Sequence, residues 1–252
     1  MPAPKPPLEE GDDRDTRLRL VADLLQAEYG SGPWHSHGDP VSELVSTILS
    51  QHTSDINTAR AFRSLQSALP TWADVVNAPT AVVADAVRSG GLANTKAPRI
   101  QAVLRTIRNE AGEFDLGWLD DLSVPEGRRA LTRLPGVGPK TASIVLLFSL
   151  GRPAFPVDTH VHRVCVRLGV VNPKATPEQV QDAVEDEFGD DRETFYALHL
   201  NMIEHGRLIC VARRPRCDRC ILAPWCDYAR QRLGNGTHDP DLDLPPSAGA
   251  DD

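Results

Sequence analysis

Apolar residues recur along most of this chain at the three- and four-residue spacing of a helix face: Leu18, Val21 and Leu25 in one segment, Ile56, Ala59 and Phe62 in another. The two-residue alternation of a half-buried strand is scarce. Ser54, Thr80, Thr95 and Asp158 stand just ahead of such segments, in the position of N-caps whose side-chain oxygen accepts from the first free N–H groups. Gly30, Pro70, Pro79, Gly112, Pro125, Pro135, Gly151 and Gly189 punctuate the joins. The pattern predicts an all-α chain of about ten or more short helices. No internal repeat is present, which sets aside solenoids and coiled coils.

The chain's 252 residues, 40% of them hydrophobic, suffice for one large or two modest packed domains. The longest uncharged apolar run, Ile144 to Leu150, is far short of the about 20 residues a membrane span needs, so a membrane protein is excluded. Met1 to Glu10 is Pro-rich and acidic where a signal peptide has a positive and then an apolar region. The chain therefore reads as cytoplasmic, with its five Cys reduced or metal-bound. Its net charge of −8 lies wholly at the ends, with −3 in residues 1–15 and −5 in residues 235–252. Bulk charge then selects no partner, and local clustering has to. Residues 1–15 and 234–252, rich in Pro, Gly and Asp, are expected to be disordered acidic tails.

Four Cys crowd seventeen residues as C-x6-C-x2-C-x5-C: Cys210, Cys217, Cys220 and Cys226. Thiolates so close in a reducing compartment share a metal or an iron-sulfur cluster; zinc also takes four thiolates, although paired C-x2-C knuckles are its commoner form. Cys165, on an apolar-rich stretch from Val161 to Leu168, reads as a buried small hydrophobe. Arg207, Arg213, Arg214, Arg216 and Arg219 surround the same Cys. Such density on a metal-pinned loop suits phosphate contacts, and equally a solvated charged face.

A second motif, Leu134-Pro135-Gly136-Val137-Gly138-Pro139-Lys140-Thr141-Ala142, joins a helix expected over Glu126 to Arg133 to one expected over Lys140 to Leu150. Its glycines let a backbone approach a ligand, Pro139 suits a first helical position, and the N–H groups of the new helix can hold a phosphate. Taken alone, the pattern is also a tight helix connection. Lys140 is one of only four Lys against 23 Arg. The positive end of a helix dipole disfavours an ammonium ion and favours a nucleophilic amine, although Lys140 also reads as an ordinary phosphate-binding or surface Lys. Asp158 stands at the entry of the helix ending near Leu168, as an N-cap that is also free to take part in chemistry.

In order and spacing, L-P-G-V-G-P-K-T-A from Leu134, V-D-T-H-V-H-R-V from Val157 and H-G-R-L-I-C from His205 into the four-Cys run resemble the endonuclease III family of DNA base-excision glycosylases, in the helix-hairpin-helix superfamily. The likeness spans about residues 17–232. It implies an all-α helix-hairpin-helix glycosylase fold: a six-helix domain over residues 33–151, an iron-sulfur domain from residues 16–32 and 152–233, and a DNA cleft between them. It further implies Lys140 as the amine nucleophile, Asp158 as the carboxylate assisting it, and a 4Fe-4S cluster on Cys210, Cys217, Cys220 and Cys226. The activity implied is that of a bifunctional glycosylase and abasic-site lyase acting on oxidised pyrimidines, such as thymine glycol, in double-stranded DNA. The protein would be a nucleoid-associated monomer with no membrane partner.

DNA contacts would come from Gly136, Val137, Gly138 and Thr141 in the hairpin, and from Arg213 and Arg214. His52, in Leu49-Ser50-Gln51-His52-Thr53-Ser54-Asp55, matches the loop that fills the gap left by a flipped base, with His where the family usually has Gln. Leu92, in Gly90-Gly91-Leu92-Ala93-Asn94-Thr95-Lys96, matches the intercalating wedge, with Ala93 where an aromatic is common. Adenine- or thymine-mismatch glycosylases of the superfamily share the hairpin, Asp and cluster but lack a Lys at the position of Lys140. A non-catalytic iron-sulfur DNA-binding module would leave Lys140 and Asp158 without a purpose.

Overall fold

The computed structural model describes residues 14–234. Among them there are twelve α-helices and no strand: α1 Arg14–Tyr29, α2 Pro40–Ser50, α3 Asp55–Ala68, α4 Trp72–Asn77, α5 Thr80–Ala86, α6 Ala93–Ala111, α7 Val124–Thr132, α8 Pro139–Ile144, α9 Thr159–Leu168, α10 Pro177–Phe188, α11 Arg192–Leu208 and α12 Asp227–Gly234. None is long and apolar enough to cross a membrane. The expected tails lie outside the described residues except at their inner ends. Arg14 and Asp15 open α1 instead, with Asp15 in the first turn where the helix dipole favours an acid, and Gly234 closes α12.

Two compact units divide the described chain, one of His35–Pro156 and one of residues 14–34 together with 157–234. The first holds α2 to α8. Its centre is α2, whose Val41, Leu44, Val45 and Ile48 repeat at helical spacing and are wholly buried. Asp39 caps that helix, accepting from the N–H groups of Val41 and Ser42, and Pro40 supplies a fixed φ at the first position. Val103, Leu104 and Ile107 of α6 join the same core. Pro79 separates the short α4 and α5.

The second unit packs α1 on α11 and α9 on both α11 and α12. Leu18, Val21 and Leu25, the stripe that announced α1, are fully buried. Gly206 lets α11 approach α9, since a Cβ there would come within 2.8 Å of the His160 Cβ.

Two expected caps are not caps. Thr80 is the first helical residue of α5, and its hydroxyl donates to the buried Gln101 amide oxygen at 2.7 Å. Thr95 lies inside α6, which starts earlier because the Leu92 carbonyl accepts from both Thr95 and Lys96 N–H groups. Ser54 and Asp158 do cap α3 and α9. The helix expected to run from Lys140 to Leu150 keeps α geometry only to Ile144 and widens into a π-helical turn over Val145–Ser149, where Leu150 N–H reaches the Val145 carbonyl.

Candidate functional site

The hairpin between α7 and α8 is built round Gly136, whose φ of +74° lies in the left-handed region. A Cβ at Gly136 would also come within 2.6 Å of the Arg99 Nε, so any side chain there collides as well as straining the backbone. Val137 N–H closes the turn on the Leu134 carbonyl. Gly138 is the extended N-cap of α8, with open space over its Cα. Pro139 follows as first helical residue and brings no N–H, so Lys140 and Thr141 present the first N–H groups without a partner inside the helix. Lys140 is half-buried at the second helical position. Val137 and Thr141 are buried, so a ligand meets them through their main chain.

Asp158 belongs to the other unit and caps α9, accepting from Val161 N–H at 2.8 Å on one carboxylate oxygen. Among the described residues its second oxygen has no hydrogen-bond partner. His160, two residues on, has its pKa lowered by burial against the opposing pull of the Asp158 charge. Its Nδ1 lies 3.0 Å from an Arg163 Nη2, and Arg163 in turn donates to the Gly206 and Cys210 carbonyls.

Three non-glycine residues adopt positive φ among the described residues: His52 (+55°), Leu92 (+46°) and Arg214 (+54°). Each belongs to a segment expected from sequence to meet DNA. Such a conformation costs on the order of 1–3 kcal/mol and persists where surrounding structure imposes it, commonly at functional sites. His52 is exposed beyond α2. Leu92 is 56% exposed at the start of α6 and takes no part in the core. Arg213 and Arg214 are exposed, as are Arg207, Arg216 and Arg219.

Cys210, Cys217, Cys220 and Cys226 line one small cavity, with Val164, Leu168, Ile209 and Leu222 forming apolar walls. Burial pushes the Cys220 thiol up to about 12 and Cys226 to about 11, and raises Cys217 too. Four thiolates in this chamber therefore require positive charge beside them. Arg167 supplies some: it is buried, its Nη1 lies 3.4 Å from the Cys210 Sγ, and its Nε has no partner. His205, its pKa lowered to about 4 by burial, places Nε2 3.5 Å from the Cys220 Sγ and Nδ1 3.0 Å from the Tyr29 hydroxyl. Among the described residues no group of three or more His, Cys, Asp or Glu gathers as a site for a single metal ion. All four Cys line the same cavity, and such a soft thiolate set suits zinc or an iron-sulfur group. Cys165 is fully buried, with its thiol pushed up to about 12, as an inert core residue would be.

Sequence reasoning passed over Arg163, Arg167 and His205 as neighbours of the Cys. The signal was a charged residue at a core position, since Arg167 falls between Val166 and Leu168 on a helix that is otherwise apolar there.

Fold and site define a class, that of all-α helix-hairpin-helix proteins that work on DNA. Residues 45–189 match the family described as HhH-GPD superfamily base excision DNA repair protein. The chain is 35% identical to the endonuclease III of Thermotoga maritima over 79% of its own length and 87% of that protein. It is 35% identical to that of Escherichia coli K12 over 84% and 95%. A solved structure of a trapped endonuclease III–DNA covalent intermediate superposes with a TM-score of 0.74 at 28% identity, covering 87% of this chain and 98% of the other. The chain belongs to the HhH-GPD superfamily and, within it, to the endonuclease III family. It is a base excision repair DNA glycosylase and abasic-site lyase.

Proposed function

We propose that this protein removes oxidised pyrimidines, thymine glycol among them, from double-stranded DNA and cuts the strand at abasic sites by β-elimination through a Schiff base on Lys140. The observation that carries the reading is the Lys140 amine at the second position of α8, directly after a hairpin with unpartnered N–H groups suited to a phosphate. The damaged nucleotide leaves the stack, at a cost of a few kcal/mol. Lys140 Nζ then attacks C1′, the C1′–N bond breaks, and the base departs with the bonding pair and takes up a proton. Loss of the amine protons and opening of the sugar ring give an imine. The imine acidifies the C2′ hydrogens, and removal of one expels the 3′ phosphate oxygen, cutting the strand 3′ to the lesion.

Asp158 stabilises positive charge developing on the sugar and assists proton transfer, roles consistent with its uncommitted carboxylate oxygen. Gly136, Val137, Gly138 and Thr141 grip a phosphate through their main chain. His52 fills the gap left by the extruded base and Leu92 wedges the duplex, as their exposed left-handed positions support. Cys210, Cys217, Cys220 and Cys226 hold a 4Fe-4S cluster, which when bound pins the Arg213–Arg214 loop and takes no part in the bond changes. The protein acts as a monomer on nucleoid DNA in the cytoplasm.

The test is borohydride trapping on a labelled duplex carrying one thymine glycol. A covalent protein–DNA band is expected; free base with an uncut strand would replace this reading with a monofunctional glycosylase. Neutralising Arg213 and Arg214 together is expected to flatten the log–log salt dependence of duplex binding by up to about two units. An unchanged slope would return both to the solvated surface.

A further inference from the structure

Helix α6 carries a buried cation with no part in the chemistry above. Lys96 is 2% exposed, and its ammonium donates to two main-chain carbonyls, Leu49 at 2.7 Å and Gly90 at 2.8 Å. Burial lowers its pKa from the ordinary lysine value, so the fold keeps this ammonium against a desolvation penalty. The two carbonyls terminate the segments that present the exposed left-handed residues: Leu49 lies in the last turn of α2 ahead of His52, and Gly90 just ahead of Leu92. One turn along the same face of α6, Arg99 donates to the Gln51 amide oxygen at 2.7 Å and lies against Gly136 of the hairpin. A single helix face thus holds all three segments, all within the His35–Pro156 unit.

We propose that Lys96 and Arg99 are positioning residues that set the register of the lesion-search surface: Lys96 ties the His52 loop to the Leu92 loop, and Arg99 ties the His52 loop to the Gly136 hairpin. Gap filling, wedging and backbone gripping then act as one rigid device. The inference rests on the DNA roles given to these loops above. Extruding a stacked, paired base needs filler and wedge to enter together, whereas an abasic nucleotide has no base to unstack. Loss of the ties falls on base removal and spares the cutting of a site already abasic.

In the full-length protein as purified, Lys96→Met and Arg99→Leu are each expected to slow excision of thymine glycol from a fully paired duplex at least about tenfold, with cutting of a preformed abasic site within about twofold of the parent. Setting the thymine glycol opposite a mismatched base, which has less pairing to lose, is expected to restore most of the rate. That rescue is a readout that a general loss of stability would not move. Excision and abasic-site cutting falling in step, or both unchanged in folded variants, would overturn the proposal. Arg99→Leu leaves the buried Lys96 site intact and carries the test should Lys96→Met fail to fold. Parent protein that cuts neither substrate would instead overturn the functional reading, so the two failures are distinct.

Discussion

Lys140→Gln is expected to lose strand cutting and borohydride trapping together, by about three orders of magnitude or more, because no neighbouring group replaces an amine that must form the imine. Gln is close to Lys in length and in helix propensity, so the second position of α8 tolerates it at little cost to the fold. Duplex affinity is expected to stay within about twofold, since one exchanged charge among many phosphate contacts changes binding little. Gel-resolved single-turnover cutting and equilibrium binding on the same duplex separate the two. A variant that still cuts within about tenfold of the parent would place the nucleophile elsewhere. Normal base release without cutting would confine Lys140 to the elimination step.

Cys220→Ala is expected to strip the metal and melt much of the second unit. Structural metal sites contribute about 10 kcal/mol or more, comparable to the whole stability of a typical domain, about 5–15 kcal/mol. The Cys220 sulfur is also the partner of His205, whose ring joins α11 to Tyr29 of α1. Removing it also opens a gap in the apolar walls packed around the buried Arg167. The readouts are iron and sulfide content, loss of visible absorbance, and proteolytic nicking between Arg207 and Arg219. Iron near four per chain in the parent and none in the variant is the expected result. Stoichiometric zinc in the parent would rule out the cluster, and unchanged stability in a metal-free variant would remove the metal's structural role.

Much of this was legible in the chain. The Leu18, Val21 and Leu25 stripe gave α1, because helical spacing is a local property that tertiary packing here reinforces. The hairpin was legible for a like reason: Gly136 at positive φ and Pro139 at a first helical position follow from backbone sterics alone. Asp158 as an N-cap needed only its own segment. Thr80 and Thr95 misled because their fates are decided at a distance. Gln101 draws the Thr80 hydroxyl to itself, and the left-handed Leu92 starts α6 ahead of Thr95. Lys96 and Arg167 were harder to read for a stronger reason, although Arg167 at an otherwise apolar helix position gave a hint. No local rule marks a Lys or Arg for burial; their partners lie 47 and 43 residues away, at Leu49 and Cys210. The closing turn at Val145–Ser149 likewise has no sequence rule to announce it.

The unit containing α1 is split by the one containing α2 to α8, and that division orders events while the chain is being made. Gln26 and Tyr29 of α1 meet Asn201 and His205 of α11 across separations of 175 and 176 residues. At a synthesis rate of about 5–20 residues per second, α1 leaves the ribosome about 10–40 s before its partner exists. For much of that interval the Leu18, Val21 and Leu25 stripe waits for α11, whereas residues 35–156 can complete their own core once Ala154 has been made. Before α11 emerges, the nascent chain therefore carries a finished inner unit and a waiting apolar helix.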